Sequence, residues 1–283
     1  MERDSLGCIK DIMNVPIGIE SESTLEQVLD KLLTLRISRL FIFKDKKAIG
    51  IVSEKDILNY LYNEKLQKRT SEVTINEIMH EVFVNDGSMT IPEAAKFMID
   101  NRCSSTGVGS KGELIGIVTK TDLTKYYAEN YFGKNRVNIQ VSSNYLSTLT
   151  NDEILEVVGK MLESEFSRMV IVSKEKKPVG IISTGDIFRA VMDIEASENT
   201  EKILKLTQDS KNIWLRYKEF CSYPAEKVMS RGVINVREGE DLAKACQIIL
   251  DKRINALGVQ DSDGQINGII GKREILLTLA SIN

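Results

Sequence analysis

A short phrase occurs four times in this chain of 283 residues, and its repetition constrains the fold more than any other feature. The copies read GIVSEKDI, GIVTKTDL, GIISTGDI and GIIGKREI, and they begin at Gly50, Gly116, Gly180 and Gly268. A polar residue at the start of a short apolar segment precedes each glycine by 12 or 13 positions. These polar residues are Ser38, Ser104, Ser167 and Asn255. Because fixed internal spacing indicates repeated supersecondary units, the sequence predicts four copies of one unit.

The first copy shows how each unit is built. Apolar residues in TLEQVLDKLLTLR recur at the spacing of one helical face. RLFIF and IGIV are predicted strands joined by the polar turn KDKKA, and Ser53 is placed to cap the helix DILNYLY. The other copies follow the same order, so the sequence predicts an α+β fold of four β-α-β-β-α units. A unit of roughly 55–60 residues forms only a marginal core, so we expect the units to pack in pairs.

Composition narrows the class of protein. Hydrophobic residues make up 42% of the chain and charged residues 28%, and the net charge is -3 at pH 7. These values are typical of a globular protein and disfavour nucleic acid or an anionic membrane as the main partner. The four cysteines lack metal-type spacing and indicate reduced thiols in the cytoplasm, and a single histidine excludes a histidine-based metal cluster. No secretory signal or membrane-spanning run is expected.

The four units together resemble the cystathionine-β-synthase (CBS) domain. In that family a β-α-β-β-α unit ends in glycine, two apolar residues, a hydroxyl residue and, three positions later, aspartate. The resemblance covers about residues 5–130 and 137–283, nearly the whole chain, and implies two pairs with approximate two-fold symmetry. The first pair would span 1–130, with repeats at about 5–62 and 75–129. The second would span 131–283, with repeats at about 137–192 and 223–283 and a helical insertion at 193–222.

The repeated phrase has two interpretations, and they are compatible. Ser53, Thr119 and Ser183, each followed three positions later by aspartate, fit a capping box that contributes ~0.5–2 kcal/mol. The same geometry can bind a ligand, because a helix N-terminus attracts anions and a nearby carboxylate can accept the hydroxyls of a ribose.

The resemblance implies an adenosine-containing regulatory ligand, with AMP, ADP or ATP favoured, in clefts between the repeats of a pair. It implies no other cofactor, no metal and no catalytic activity. Each cleft would combine the phrase of one repeat with the strand start of the other. The combinations are Ser53 and Asp56 with Ser104 and Ser105, Thr119 and Asp122 with Ser38 and Arg39, Ser183 and Asp186 with Asn255 and Ala256, and Gly271 and Glu274 with Ser167 and Arg168.

The fourth cleft is expected to be empty or weak. Gly271 supplies no hydroxyl, and Glu274 extends the carboxylate by one methylene beyond the reach of an aspartate. Basic residues near these points are candidates for phosphate contacts, with solvated surface charge as the alternative, and Arg39 and Arg168 are favoured because they occupy equivalent repeat positions. The other candidates are Arg36, Lys55, Arg102, Lys120 and Arg253. His80 is expected to be an ordinary histidine rather than a residue of a cleft.

Two functional classes remain open at this point. The leading hypothesis is a stand-alone regulatory protein that senses the adenosine ligand and acts on an unknown regulated protein, as a monomer or a homodimer. The alternative is a ligand-free interaction scaffold. Nucleic-acid binding is disfavoured by the acidic balance, and an enzyme is the least favoured class.

In the insertion, Trp214 lies beside Ile213 and Leu215, and we expect it to pack on the second pair or on another protomer.

Overall fold

The computed structural model describes residues 7–64, 68–110, 113–138, 145–164, 166–192 and 212–282. Within these residues the order strand, helix, strand, strand, helix occurs four times, which confirms the predicted α+β fold. Repeat 1 contains β1 (Gly18–Glu20), α2 (Leu25–Leu35), β2 (Arg39–Lys44), β3 (Lys47–Ser53) and α3 (Glu54–Asn63), after the short helix α1 (Ile9–Ile12). Repeat 2 contains β4 (Val84–Asn85), α4 (Ile91–Asp100), β5 (Ser105–Ser110), β6 (Glu113–Thr119) and α5 (Lys120–Asn130), after a 3₁₀ turn at Ile75–Glu77.

The second half of the chain repeats this order with extra elements between the repeats. Repeat 3 contains β7 (Ser147–Leu149), α6 (Ile154–Glu163), β8 (Arg168–Val172), β9 (Pro178–Ser183) and α7 (Thr184–Val191). The intervening elements are α8 (Asn212–Cys221), α9 (Ala225–Val228) and β10 (Ser230–Arg231). Repeat 4 contains β11 (Asn235–Arg237), α10 (Leu242–Asp251), β12 (Ala256–Gln260), β13 (Ile266–Gly271) and α11 (Lys272–Ala280). Among the described helices, none has the length and apolar character needed to cross a membrane.

Each repeat forms its own small sheet. The first strand pairs in parallel with the second, and the second pairs antiparallel with the third. The register places the first residue of the second strand opposite the residue that ends the third strand and precedes the helix. These opposed pairs are Arg39 with Ser53, Ser105 with Thr119, Arg168 with Ser183 and Ala256 with Gly271. The sheet alone therefore places the strand start and the phrase of each repeat side by side, and both segments contain residues predicted from the sequence to bind ligand.

The first helix of three repeats is followed, one or two residues after its end, by an arginine with left-handed backbone. Arg36, Arg102 and Arg253 have φ values of 53°, 50° and 52°. The backbone N–H of Arg36 donates to the carbonyl oxygens of Leu32 and Leu33, which closes α2 before the chain turns into β2. In the structure these arginines are exposed and lie one or two residues beyond the helix ends, and their role as phosphate contacts stays a prediction.

Alternate repeats gather into two compact units. One unit, here called the 2+4 unit, comprises Met1–Pro16, Phe83–Leu146 and Gly232–Asn283, and the other, the 1+3 unit, comprises Ile17–Val82 and Ser147–Arg231. In the 2+4 unit, α4 and α5 pack against α10 and α11. Their shared core is fully or almost fully buried and includes Ala94, Met98, Leu123, Tyr127, Ala245, Cys246, Ile275 and Leu279. In the 1+3 unit, α3 packs against α6 and α7. The pairing of consecutive repeats expected from sequence stays a prediction.

Helix α8 fills part of the predicted insertion, whose residues 193–211 lie outside the described residues. Trp214 is only 3% exposed. Its indole N–H donates to the Lys68 carbonyl oxygen over 2.8 Å, and its ring lies 6.0 Å from the Tyr60 ring. Helix α8 packs on α6 and α7 of repeat 3, as expected for the second pair. Trp214 itself contacts Tyr60 and Lys68 in the first half of the chain, which the sequence did not indicate.

Candidate ligand-binding site

One oxygen of each phrase aspartate is held in the same way in repeats 1, 2 and 3. In repeat 1, Asp56 Oδ2 accepts hydrogen bonds from the Ser53 backbone N–H over 2.7 Å and from its hydroxyl over 2.5 Å. Asp122 Oδ2 accepts the equivalent pair from Thr119, both over 2.7 Å. Repeat 3 has the same arrangement, with Asp186 Oδ2 accepting from the N–H and hydroxyl of Ser183 over 2.8 and 2.6 Å.

The hydroxyl of the phrase therefore has a defined role in this structure. A hydroxyl has one proton, and in all three repeats that proton is donated to the aspartate. The hydroxyl lone pairs stay available to the helix, and Thr119 Oγ1 and Ser183 Oγ accept from the backbone N–H groups of Asp122 and Asp186 over 3.4 and 3.3 Å. The phrase is thus a capping box, and the hydroxyl also fixes the carboxylate in position.

The polar residue at the strand start lies against the phrase of its own repeat. The first N–H of α3, from Glu54, donates to the Ser38 carbonyl oxygen over 3.1 Å. The same bond links Lys120 to Ser104 over 3.1 Å and Thr184 to Ser167 over 3.0 Å. The constant spacing seen in the sequence therefore has a structural cause, because the carbonyl group at the strand start accepts a hydrogen bond from the first N–H of the following helix. The combinations predicted across repeats join residues of different compact units, and they stay predictions.

The second oxygen of each aspartate contacts a different partner in each repeat. In repeat 1, Asp56 Oδ1 lies 3.4 Å from His80 Nδ1. In repeat 2, Asp122 Oδ1 accepts a hydrogen bond from Asn14 Nδ2 over 2.8 Å. In repeat 3, Asp186 Oδ1 accepts from the Arg189 guanidinium over 2.6 Å. Oδ2 is thus structural in every case, whereas the partner of Oδ1 varies.

His80 and Asn14 reach these carboxylates because each belongs to a segment that pairs with the outer edge of the third strand. Ile51 and His80 exchange backbone hydrogen bonds of 2.9 and 3.1 Å, and Ile117 and Asn14 exchange two of 2.9 Å. Repeat 3 has the same arrangement in β10, where Ser230 pairs with Ile181.

A methionine precedes each of these edge residues and covers the phrase glycine. A Cβ added at Gly50 would lie 2.7 Å from Met79 Sδ. The same construction at Gly116 gives 2.4 Å to Met13 Sδ, and at Gly180 it gives 2.5 Å to that of Met229. A side chain at the phrase glycine would have to displace the methionine, because the methionine packs directly on the strand. The repeated pattern of Ile or Val, methionine and a polar residue at 12–14, 78–80 and 228–230 is the sequence signal that could have identified the edge residues.

Charged side chains lie near the phrase aspartates of the 1+3 unit. Burial raises the pKa of Glu54, with Arg189 and Arg39 opposing that effect. Burial lowers the pKa of Lys55, and its ammonium donates to the Ser164 carbonyl oxygen over 3.0 Å. In the 2+4 unit, Lys272 donates to Thr121 Oγ1 over 2.9 Å, at the starts of α11 and α5.

Repeat 4 reproduces only part of the arrangement. Glu274 Oε2 accepts from the Gly271 N–H over 2.8 Å, so the backbone half of the box is kept. There is no hydroxyl at Gly271, and Glu274 is only 1% exposed, with its Oε1 3.9 Å from Arg273. Of the strand-start residues, Ser167 and Asn255 are exposed whereas Arg168 and Ala256 are buried.

Sequence comparison identifies the repeated unit. The profile of the CBS domain matches residues 9–63, 75–129, 138–193 and 225–281. The chain belongs to the CBS-domain family. The resemblance inferred from the four phrases is therefore confirmed, and the phrase described above is the C-terminal part of each CBS repeat.

Relatives of similar length share this architecture. Uncharacterized protein MJ1225 of Methanocaldococcus jannaschii is 23% identical over 246 residues, which cover 82% of this chain and 83% of the relative. The crystal structure of MJ1225, described as a candidate archaeal homologue of γ-AMPK, matches 97% of this chain and 100% of that chain with a TM-score of 0.80 and 21% identity. An uncharacterized conserved protein from Pyrococcus horikoshii matches 96% of this chain and 100% of its own, with a TM-score of 0.63 and 19% identity. These likenesses establish the four-repeat CBS fold.

Proposed function

We propose that this CBS protein is regulatory and senses an adenosine-containing ligand, with AMP, ADP or ATP favoured, through the phrase aspartates of repeats 1, 2 and 3. The observation that carries the proposal is the shared arrangement of Asp56, Asp122 and Asp186. In each, two bonds from the phrase fix Oδ2 and leave Oδ1 directed at a partner that another donor could replace.

The chemistry of a nucleotide matches this arrangement. The vicinal hydroxyls of a ribose are donors, and a fixed carboxylate accepts from them without losing conformational freedom on binding. The carboxylates lie in the first turns of α3, α5 and α7, where the helix dipole favours an anionic group such as a phosphate. Sugar and phosphate recognition are thus available within one helical turn.

The proposal also covers the cellular compartment, the partner and the oligomeric state of the protein. It acts without catalysis, in the cytoplasm, on a regulated partner protein, and it can work as a monomer or a homodimer. Free cysteines support the cytoplasmic setting, since Cys8, Cys103, Cys221 and Cys246 form no disulfide among the described residues.

Calorimetry on the full chain tests the ligand. Adenosine, AMP, ADP and ATP are titrated into the wild type and into the single variants Asp56→Ala, Asp122→Ala and Asp186→Ala. Each variant is expected to lose one binding event or to weaken it by about ten- to a hundredfold, the equivalent of a lost charged hydrogen bond of roughly 1.5–3 kcal/mol.

A matched control removes an aspartate whose Oδ2 is held by a backbone N–H and a hydroxyl in a turn outside the phrase. Asp152 Oδ2 accepts from the Leu149 N–H over 2.9 Å and from the Thr148 hydroxyl, as the phrase aspartates do. Asp152→Ala should cost stability but leave binding unchanged. The proposal is contradicted if no adenosine ligand binds, or if natively folded phrase variants bind as the wild type does.

One observation favours the alternative of a ligand-free interaction scaffold. Each Oδ1 already has a partner within the chain, namely His80, Asn14 or Arg189. If these contacts are purely structural, the titrations will show no heat, and the phrase variants will change only the melting temperature.

A further inference from the structure

The edge residue after each methionine occupies one structural position in two repeats but differs in chemistry. His80 and Asn14 pair with the same point of the third strand, at Ile51 and Ile117, and each contacts Oδ1 of the phrase aspartate of that repeat. Asparagine has a neutral amide at any physiological pH, whereas histidine gains a proton between about pH 5 and 8.

We propose that this edge residue competes with the ligand for Oδ1 of the phrase aspartate, and that His80 makes the repeat 1 site sensitive to pH while Asn14 leaves the repeat 2 site insensitive. The proposal rests on the proposed function, because it assumes that the phrase aspartates accept the ribose hydroxyls. It goes beyond the proposed function in two respects. It names the residue that must leave Oδ1 when the ligand binds, and it states that the affinity of the repeat 1 site depends on pH.

The direction of the effect follows from the bonding at Oδ1. Protonated His80 is a cationic donor, and a charge-assisted contact to Asp56 is stronger than a neutral one. A ribose hydroxyl must then displace this donor to reach the same oxygen. Neutral His80 competes less, so affinity at the repeat 1 site is expected to fall as the pH falls.

The charged groups around His80 support this direction. Asp56 on α3 favours the protonated form and raises the pKa of His80, whereas Arg39 on β2 opposes protonation. In the segment of His80 itself, Glu77 is paired with Lys68 over 2.7 Å and Glu81 is the next residue but one after Met79. The His80 side chain is 54% exposed, so it has room to leave Asp56 when a ligand enters.

Adenosine is the appropriate probe for this question. It contains the ribose hydroxyls but no phosphate, whose own pKa near 6 would otherwise add a pH dependence of the ligand. Binding is measured by calorimetry between pH 5.5 and pH 8, and Asp56→Ala and Asp122→Ala assign the two sites. The repeat 1 affinity should fall on acidification, by at most about tenfold per pH unit, and the repeat 2 affinity should stay constant.

A reciprocal exchange provides the matched variants. His80→Asn gives repeat 1 the residue of repeat 2 and should abolish the pH dependence of its site. Asn14→His does the converse and should introduce a pH dependence at the repeat 2 site. Both side chains are exposed, so melting curves at a single pH are expected to confirm native folding of the variants.

The single histidine allows an independent readout. One imidazole signal in the proton NMR spectrum reports the pKa of His80 directly, since the chain contains only 1 histidine. Saturation with adenosine should lower this pKa, because linkage is reciprocal and the bound ribose takes the oxygen that stabilises the imidazolium. Asp56→Asn should lower it without ligand.

The possible results separate the two proposals. Adenosine binding that depends on Asp56 but is constant with pH, or a slope that persists in His80→Asn, overturns this inference alone. If AMP, ADP or ATP binds but adenosine does not, the ribose contact at Oδ1 does not hold the ligand by itself, and this inference alone is overturned. If none of adenosine, AMP, ADP and ATP binds at any pH, the proposed function is overturned and this inference with it.

Discussion

At the scale of single residues, the phrase fixes one oxygen of each carboxylate and leaves the other with a partner that varies between repeats. Asp56 Oδ2 is held by Ser53, whereas Oδ1 faces His80. The sequence was sufficient to predict the carboxylate, because hydroxyl and aspartate recur at fixed spacing. Hydrophobic periodicity did not indicate the His80 contact, because a single backbone bridge at a sheet edge has none, and only the repeated pattern of Ile or Val, methionine and a polar residue marks that position.

The His80–Asp56 contact predicts a pH-dependent stability. Asp56 raises the pKa of His80 above its ordinary value of about 6.5. A raised pKa in the folded state stabilises the protein below about pH 6.5, and this contribution is lost as the pH rises through the folded pKa. Relative to the wild type, His80→Asn should therefore lower the melting temperature at pH 5.5 more than at pH 8.

The same measurement on Asn14→Ala serves as the control. This variant removes the equivalent contact to Asp122 without removing a titratable group. Its change in melting temperature should be the same at both pH values. An identical pH profile for His80→Asn and the wild type would contradict the contact.

Glu274 is predicted to matter for stability and not for binding. Its carboxylate is buried and accepts from Gly271 N–H, so Glu274→Ala leaves a buried donor without its acceptor. We expect the free energy of unfolding to fall by about 1–3 kcal/mol in denaturant titrations, with unchanged adenosine stoichiometry. The expectation fails if Glu274→Ala removes a tight site while Asp186→Ala does not.

At the scale of elements, the periodic segments were predictable and their partners were not. The apolar spacing in α2 and the alternation of strands and turns follow from local sequence, and the structure has them in that order. The partner of α8 depends on tertiary packing, since Tyr60 is about 150 positions away from Trp214 and no local pattern connects them. Periodicity predicts that a face is buried, but it does not identify the surface against which it packs.

Trp214 is predicted to be a principal contact of α8. Trp214→Ala removes a side chain that is 3% exposed together with its bond to Lys68. The expected loss is about 3–5 kcal/mol in urea unfolding, as for other buried aromatic side chains. The neighbouring Leu215→Ala is the control, because Leu215 is 61% exposed and its loss should change stability by less than about 0.5 kcal/mol.

Fluorescence gives a second test of the same packing. The chain contains 1 tryptophan, so the native emission reports Trp214 alone. A blue-shifted emission protected from aqueous quenchers is expected. A red-shifted and fully quenchable emission in the native protein would contradict the buried position.

At the scale of the whole molecule, each compact unit draws on both halves of the chain. The 2+4 unit requires Phe83–Leu146 and Gly232–Asn283, and the 1+3 unit requires Ile17–Val82 and Ser147–Arg231. A cut near residue 130 therefore divides both units. The sequence predicted four repeats correctly, but repeat spacing contains no information on which helical faces meet.

A fragment of residues 1–130 is predicted to be unstable as a monomer. It retains Leu123 and Tyr127, which are fully buried in the intact chain, but lacks the helices α10 and α11 that cover that core. Light scattering on the purified fragment should show self-association, and its melting should depend on concentration. A monomeric fragment that melts cooperatively at the temperature of the full chain would contradict this prediction.

The alternation of repeats also determines when folding can be completed during synthesis. A ribosome releases repeat 1 and then repeat 2, but their helical partners are in repeats 3 and 4. The apolar faces of α3, α4 and α5 must therefore wait, exposed, until the second half of the chain has emerged. Such non-local contacts slow folding and favour aggregation of incomplete chains. Nascent chains whose synthesis is stalled before α11 should consequently bind chaperones. They should stay bound until translation resumes and the remaining helices are made.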